Sequence, residues 1–513
     1  MLPRQASLIF FFVALIYGVA WTVIPFMSES NFRYDTIEMF LIGKEGVIAT
    51  FKHPALNSII LEFVYQRLSR SDIAPYLLNQ VFFFLTALAI WRIGREFFTP
   101  FESLVGVLTF YGYWAYFYAS LNYNHNVILT TEWGFVTLFA LLAIKYNRYR
   151  DWVGLGVVIG LGFYCKVTII FLVFAILIFT LLNSTTRKYW SRAGVYLATI
   201  IALVIASPML YWIFVSGFSF LNFPLQNRIE GTLANRLFIF LNVAAIVPLL
   251  CLSFIVLLLP LLSFKFKFKE KTEMDGDRIL ARNFLISTNF IAWFCMLLSC
   301  IVSAANRDMY DFTQIFIFTG LILVVVFKTA ATPKAIRLFF IFFVLTMIFY
   351  PVGYSAHLYN AYNIRRHGRT WYLFPGKELA VKVEDVWRNK YDKPLKYITG
   401  EWPLAGSAAI YSKDRPTCHC DYYGFPLTTW STDKDVLKTG GIAIWLIGDG
   451  KQQAVPHWLK KKFPSAELLE PIELQKKTKA SREPYRIGLA IIPPDDSIKL
   501  EPLTPAPIRL WTN

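Results

Sequence analysis

Charged residues are scarce in this 513-residue chain. They make up 17% of it, against about a quarter in an average soluble protein, whereas hydrophobic residues make up 56%. This balance argues against a cytosolic enzyme, a disordered chain and a nucleic-acid-binding tail. The sequence also lacks a P-loop and a G-x-G-x-x-G fingerprint, so ATP-driven transport loses its simplest support.

Cysteine is also rare, and its six positions do not form a disulfide framework. Four lie in or beside apolar runs, where small buried side chains are expected. Cys418 and Cys420 flank His419, but no second Cys/His cluster stands at a suitable spacing. The sequence therefore predicts no metal site.

The few charges are unevenly distributed. The formal net charge is +17, yet residues 1–356 hold only 44 of the 85 charged residues and residues 357–513 hold the other 41. The sequence predicts a membrane domain over residues 1–356, including an outer loop at residues 27–54. It also predicts a separate polar domain over residues 357–513.

Eleven apolar runs predict membrane-spanning helices, which need about 17 to 25 residues. The runs cover residues 7–26, 75–93, 101–120, 127–145, 152–164, 168–184, 194–215, 237–262, 284–304, 311–328 and 336–355. The pair that flanks Lys166 could instead be a broken hairpin. Lys and Arg concentrate in alternate loops, which predicts that those loops are cytoplasmic and that the odd number of spans leaves the tail outside the cytoplasm.

The sequence pattern of the tail, residues 357–513, is typical of a small α/β domain. The runs LKYITG, GSAAIYS and GIAIWLIGD (residues 395–400, 406–412 and 441–449) are short, apolar and predicted to be strands. Helical spacing connects Leu379, Val383 and Trp387. The proline-rich segment 493–513 is predicted to be irregular.

The outer loop 27–54 carries two carboxylates, Asp35 and Glu38, at a spacing that places both on one face of a helix starting near Asn31. They could be an ordinary acidic pair in a first helical turn. The apolar residues that follow favour a helix on the membrane surface, with the carboxylates held where a lipid head group meets water.

Four outward-facing cationic or imidazole side chains are predicted to bind a phosphate: Lys52, His53, Lys166 and Arg307. An ammonium group is a good point-charge partner for phosphate. Alternatively, the Lys52 side chain could simply extend its ammonium group to the membrane–water interface. If a carboxylate base and a phosphate share one site, a cation must separate their charges, and Lys52 is the natural candidate.

The second outer loop places Asn124, His125 and Asn126 at a span boundary. Such residues are predicted to bind a sugar or an acceptor, or simply to cap a helix. Glu132 lies deeper in the apolar run, where an acidic residue is costly and is taken as functional.

The order YDTIE, FKHPAL, LNYNHNVILTTEW and GLGFYCKVT resembles the integral-membrane glycosyltransferases of families 39 and 83. These include the dolichyl-phosphate-mannose protein mannosyltransferases and the bacterial aminoarabinose transferases of lipid A. The tail motifs FPGKELAVKVEDVW and PLKYITGEWPLAGSAAIYSKDRP extend the likeness. Ala55 stands where the relatives have the second proline of Lys-His-Pro-Pro-Leu, and Thr36 and Ile37 separate acidic residues that many relatives have adjacent.

The resemblance implies a GT-C fold: an α-helical polytopic membrane protein of about 11 transmembrane helices with a small extracytoplasmic α/β domain. It implies an inverting enzyme that moves a sugar from a polyprenyl-phosphate donor to a lipopolysaccharide, lipid or glycan acceptor at the periplasmic face of the bacterial inner membrane. Asp35 is then the base and Glu38 its neighbour. No cofactor requirement follows from these motifs, although the carboxylate pair could bind a divalent cation.

Three alternatives remain open at the level of sequence. A transporter or flippase of a lipid-linked sugar would also need outer cations, although no internal repeat is evident. A protein O-mannosyltransferase is a second alternative. A membrane-anchored binding protein is the third, for which eleven spans are excessive.

Overall fold

The computed structural model describes most of the chain. The described residues are 2–219, 232–262, 275–303, 309–327, 332–363, 371–422, 425–426, 428–447, 455–476, 484–503 and 506–511.

The helices are numbered here in chain order. They are α1 (Pro3–Ser28), α2 (Tyr34–Lys44), α3 (Leu56–Arg67), α4 (Ile73–Phe97), α5 (Pro100–Tyr111), α6 (Trp114–Ala119), α7 (His125–Tyr146), α8 (Tyr149–Cys165), α9 (Ile170–Leu182), α10 (Ser184–Arg187), α11 (Ala193–Val215), α12 (Leu233–Leu258), α13 (Gly276–Ser303), α14 (Thr319–Val326), α15 (Pro333–Asn363), α16 (Gly376–Arg388), α17 (Trp402–Tyr411), α18 (Asp433–Thr439) and α19 (His457–Lys462). Within the described residues, four 3₁₀ segments accompany them, at Val167–Ile169, Lys188–Ser191, Met309–Phe318 and Trp371–Leu373.

The chain divides into two compact units. Met1–Ile24 and Pro75–Val352 form a helical unit, and Pro25–Ala74 and Gly353–Asn513 form an α/β unit. The sequence assigned the loop 27–54 to the membrane domain, whereas the structure groups it with the C-terminal segment. The reason is local packing, since α2 contacts both α3 and α17.

The protein is a multi-pass membrane protein, and all eleven predicted runs overlap helical segments. Among the described residues, six helices are long and apolar enough to cross a membrane, or seven if the bent pair Val167–Leu182 and Ser184–Ser191 is one span. The predicted number of eleven is therefore not confirmed. Several runs are shortened by breaks, as at residues 112–113, where α5 gives way to the short helix α6.

A six-stranded sheet forms the centre of the α/β unit. Its strands are β1 (Tyr397–Glu401), β2 (Thr417–Tyr422), β3 (Phe425–Pro426), β4 (Gly441–Ile447), β5 (Glu467–Leu474) and β6 (Tyr485–Ile492). The order is β3-β2-β1-β4-β6-β5, with β1 parallel to both β2 and β4 and the remaining pairs antiparallel. The predicted small α/β domain is confirmed.

The tail contains one wrong strand prediction. The segment GSAAIYS lies in α17 and its C-terminal boundary, whereas LKYITG and GIAIWLIGD contain β1 and β4, and the helix through Val383 is α16. Pro403 at the second position of α17 starts a helix well, and alanine has the highest helix propensity. The small residues also permit close packing, since a Cβ at Gly406 would lie 2.6 Å from the side chain of Ile37.

Gly43 holds α2 close to α3. A Cβ at this position would lie 2.2 Å from the carbonyl oxygen of Ser58, which belongs to the backbone of α3. A side chain there can be accommodated only if the two helices separate. The close approach fixes the distance between α2 and the loop that leads into α3.

We expect Gly43→Ala to destabilise the protein by about 1–3 kcal/mol, the usual cost of overpacking. The thermal unfolding of the purified full-length chain measures this effect. Gly353→Ala in α15 is the matched control, because nothing lies within 4 Å of a Cβ there and alanine favours a helix. Equal melting temperatures for the two variants would contradict the packing argument.

Candidate active site

The two carboxylates of the acidic motif lie in the first half of α2. The helix begins at Tyr34, so Asp35 and Glu38 are one turn apart on the same face. Before it, the guanidinium of Arg33 donates to Glu29 at 3.1 Å and 2.5 Å. This ion pair, i to i+4, fixes the entry of the chain into the helix.

The helix is buried in protein on almost every side. Eight consecutive residues, from Thr36 to Gly43, are buried, including the Glu38 carboxylate, whereas Asp35 is partly exposed. The prediction that this helix lies on the membrane surface with one apolar face in lipid is therefore wrong. Its apolar residues follow one another without a helical period, as they do in a helix packed on several sides.

A tight turn presents Lys52 to this helix. The buried hydroxyl oxygen of Thr50 accepts hydrogen bonds from the backbone N–H groups of Lys52 at 3.1 Å and His53 at 3.0 Å. The N–H of Thr50 donates to the carbonyl oxygen of His53 at 2.8 Å, and Ala49 pairs with Pro54 as an antiparallel bridge. His53 thus contributes its backbone to the turn that holds Lys52.

Lys52 forms a buried ion pair with Glu38. Its Nζ lies 2.7 Å from Oε2, and the side chains are 10% and 3% exposed. Burial raises the pKa of the Glu38 carboxyl above its ordinary value of 4.5, while the Lys52 ammonium and its hydrogen bond act in the opposite direction and the nearby Asp35 carboxylate raises it further. Glu38 Oε1 is buried without a hydrogen-bond partner among the described residues.

The site therefore contains one partly exposed carboxylate and one carboxylate neutralised by a lysine. Asp35 is the more exposed of the two carboxylates, and Glu38 holds the ammonium of Lys52 by its ion pair. This arrangement can accept a proton at Asp35 beside a positive charge.

We expect Lys52→Met to raise the KM for a phosphate-bearing donor roughly 10- to 100-fold, since a hydrogen bond to a charged group contributes about 1.5–3 kcal/mol.

Lys52→Met should also increase the pH dependence of the stability of the folded protein. Without Lys52 the pKa of Glu38 rises further, so the folded state favours the protonated carboxyl and loses stability as pH rises through that pKa. The deficit in melting temperature should grow with pH.

Lys377→Met is the matched control for this variant. The Lys377 ammonium lies 2.6 Å from Asp72, but its side chain is 65% exposed, so this pair contributes little. Steady-state kinetics at varied donor and thermal unfolding at several pH values measure both effects. An equal rise of the donor and acceptor KM would indicate a folding defect instead.

A second polar cluster lies within the helical unit. Lys166, between α8 and the 3₁₀ segment that precedes α9, is 7% exposed. Its Nζ lies 2.7 Å from Asn126 Oδ1 and 2.6 Å from Asp311 Oδ1. The structure thus joins two predicted site residues and adds Asp311, which sequence reasoning missed. The signal was the one charged residue in the run MYDFTQIFIF.

The other predicted residues of this region have separate roles. Asn124 caps α7, accepting from the N–H of Asn126 at 2.9 Å, so the capping alternative applies to it. His125 is the first residue of α7. Glu132 lies within α7, and its Oε2 is buried without a hydrogen-bond partner among the described residues. Arg307 lies outside the described residues.

No cluster of three His, Cys, Asp or Glu side chains suited to a metal ion occurs in the described part of the chain. In the motif CHC, the sulfur atoms of Cys418 and Cys420 are 2.6 Å apart, whereas the ring of His419 contacts Ser431 and Asp433. Successive side chains of a strand point to opposite faces, which separates the imidazole from the two thiols.

The comparison with known families finds one matching stretch. The sequence model of the family described as dolichyl-phosphate-mannose-protein mannosyltransferase matches residues 52–212. The chain resembles these mannosyltransferases. The matched stretch begins at Lys52 and includes Asn126, Glu132 and Lys166, so the resemblance predicted from the motifs is confirmed.

Two crystal structures of ArnT from Cupriavidus metallidurans are similar to this chain. The structure bound to undecaprenyl phosphate has 11% identity and a TM-score of 0.44, over 95% of this chain and 98% of that one. The apo structure has 13% identity and a TM-score of 0.46, over 97% and 99%. No curated protein matches the chain in sequence.

Proposed function

We propose that this protein is a GT-C glycosyltransferase that moves a sugar, with inversion, from a polyprenyl-phosphate donor to a lipopolysaccharide, lipid or glycan of the cell envelope. The observation that carries the proposal is the arrangement of Asp35 one helical turn from the Glu38–Lys52 ion pair. The match of residues 52–212 to the mannosyltransferase family and the many apolar helices support it.

Asp35 is the base of the proposed reaction. Its carboxylate takes the proton of the acceptor hydroxyl, and the hydroxyl oxygen attacks the anomeric carbon of the donor sugar. The bond between that carbon and the phosphate oxygen breaks on the opposite face, and the electron pair leaves with the polyprenyl phosphate. A positioned base contributes typically about 10²- to 10⁴-fold to such a step.

The leaving phosphate needs a positive charge more than a proton. We assign this role to Lys52, because a fixed cation stabilises the negative charge that grows in the transition state. Glu38 keeps the ammonium in place and remains its partner when no donor is bound. Lys166, His53 and Arg307 are further candidates for the donor phosphate, and the Asn124–Asn126 segment and Glu132 are candidates for sugar or acceptor.

The second candidate function is a transporter of a lipid-linked sugar. The buried carboxylate of Glu132 in the apolar helix α7 favours it, because transporters place ionisable groups at such depth. A protein O-mannosyltransferase is a third reading within the enzyme class. In each case the donor or cargo is a polyprenyl-phosphate sugar, and the bacterial inner membrane with a periplasmic site is the proposed location.

Mass analysis of cell-envelope lipids and glycans, with and without the gene, tests this function. A strain without the gene should lack one sugar mass on one envelope component, and the wild-type gene should restore it. A gene that carries Asp35→Asn should not restore it. Loss of the same lipid-linked sugar from one membrane leaflet, with no envelope component changed, would favour the transporter.

A further inference from the structure

A cavity lies in the α/β unit beside the start of α2. It has a volume of about 610 Å³ and lies at the carboxyl ends of β1 and β4 and beside the middle of β2, where Glu401, Leu446 and His419 line it. This volume is within the range of about 300–1,000 Å³ typical of small-molecule sites.

The topology explains why the cavity is there. After β1 the chain crosses through α17 to β2 on one side, and then through α18 to β4 on the other side of β1. The carboxyl ends of β1 and its two parallel neighbours thus form a switch point, which is where open α/β sheets bind ligands. At this edge the backbones of β1 and β4 approach too closely for a side chain. Gly400 has a φ of +143°, and a Cβ there would lie 1.9 Å from the carbonyl oxygen of Ile444.

Four aromatic side chains line the cavity: Tyr34, Trp371, Trp402 and Trp458. The rings of Tyr34 and Trp371 are stacked with centroids 5.8 Å apart, and the ring of Trp402 is 5.7 Å from that of Tyr34. Tyr34 is 39% exposed. The parts of these rings that remain open to the cavity can pack against the C–H groups of a pyranose ring, whose hydroxyl groups then bond at the ring edges.

Polar groups of both signs complete the wall. His419 is buried, with its ring nitrogens 3.0 Å from Ser431 Oγ and 2.7 Å from Asp433 Oδ1, and Lys462 Nζ lies 3.6 Å from the same carboxylate. Glu401 is exposed at the rim. Both ring nitrogens of His419 are engaged by these partners, so Glu401 and Lys462 are the lining groups that can bond ligand hydroxyl groups, which both donate and accept.

The same wall disfavours a nucleotide or a free phosphate. The start of α17 faces the cavity, but Glu401 is its N-cap residue and Pro403 at the second position has no N–H to donate. A helix N-terminus binds phosphate through free N–H groups and a positive end, and here a carboxyl group and a proline take their place.

We infer that this cavity binds the saccharide part of the acceptor. The inference rests on the proposed function, since it gives the transferred sugar an acceptor of stated class: a glycan or glycolipid head group of pyranose rings. Tyr34 connects the two sites, because it lines the cavity and precedes Asp35 in the first turn of α2. The acceptor is thus held by the same turn of helix that carries the base.

Saturation-transfer NMR on the full-length protein tests the inference. The probes are the methyl pyranosides of glucose, mannose, galactose and N-acetylglucosamine, together with cellobiose, and the protein is kept in lipid nanodiscs because maltoside detergents would compete. At least one probe should bind to the wild type. Trp458→Ala and Glu401→Gln should each weaken that binding, the former roughly tenfold through loss of a stacking face.

Tyr391→Ala is the control, because Tyr391 is a partly exposed aromatic residue of the same unit that does not line the cavity. Trp458 packs against a core cluster, so the exposed Glu401 provides the variant without a folding risk. Absence of binding by every probe, equal binding by all variants, or displacement of the sugar by inorganic phosphate would each overturn the inference.

Transfer assays separate this inference from the proposed function. If a glycolipid acceptor is used, Trp458→Ala and Glu401→Gln should raise its KM and leave the donor KM unchanged. If the probes fail to bind while Asp35→Asn abolishes transfer, only the acceptor site is refuted. If the probes bind and Asp35→Asn transfers sugar normally, the cavity remains and the assignment of the base falls.

Discussion

Asp35→Asn should lower the turnover of sugar transfer by about 10²- to 10⁴-fold, the usual contribution of a positioned base. The amide has the shape of the carboxylate but cannot take a proton from the acceptor hydroxyl. Because Asp35 is partly exposed in the first turn of α2, the exchange should leave the buried Glu38–Lys52 ion pair intact. Donor binding should therefore change little while kcat falls.

Initial rates with purified protein at saturating donor and acceptor measure this effect. Asp496→Asn is the matched control, because it makes the same exchange at an exposed position of the same unit. Its rate and its melting temperature should equal those of the wild type. Undiminished turnover of Asp35→Asn would show that another group accepts the proton.

Arg415→Met should destabilise the α/β unit by about 3–5 kcal/mol, the cost of breaking a buried pair by removing one partner. Arg415 donates through both terminal nitrogens to the two oxygens of Glu62, at 2.8 Å and 3.0 Å, and each side chain is 7% exposed. Without the guanidinium, the carboxylate of Glu62 stays buried with only Gln66 as a polar partner among the contacts described. The melting temperature should fall by roughly 10 °C.

Two further variants make this prediction specific. Arg388→Met removes a guanidinium that contacts Asp414 but is 45% exposed, and it should cost only about 0–1 kcal/mol. Adding Glu62→Gln to Arg415→Met should recover part of the lost stability, because no unpaired charge is then buried. Equal losses in Arg415→Met and Arg388→Met would show that burial does not strengthen the ion pair.

The elements that follow from local composition were predictable from the sequence. The apolar runs overlap helical segments, and the helix through Leu379 and Val383 lies where its spacing predicted. The segment GSAAIYS was predicted wrongly because a short apolar run does not distinguish a strand from a buried helix. Its helix depends on the close approach of α2, which the local sequence does not reveal.

The site was predictable only in part, for a related reason. The spacing of Asp35 and Glu38 implied their common face, but nothing local implied that Lys52 would pair with Glu38 rather than remain open to a ligand. Asp311 contacts Lys166, which is 145 residues away in the sequence, and Glu62 contacts Arg415, which is 353 residues away. Such pairs are set by the tertiary fold, as is the aromatic cavity.

The most direct test is a transfer reaction with purified protein, a synthetic polyprenyl-phosphate sugar and an extract of envelope glycolipids. Free polyprenyl phosphate and glycosylated acceptor should form in equal amounts, with the anomeric configuration inverted, and Asp35→Asn should nearly abolish both. An intact donor, or a transferred sugar whose configuration is retained, would contradict the proposed function.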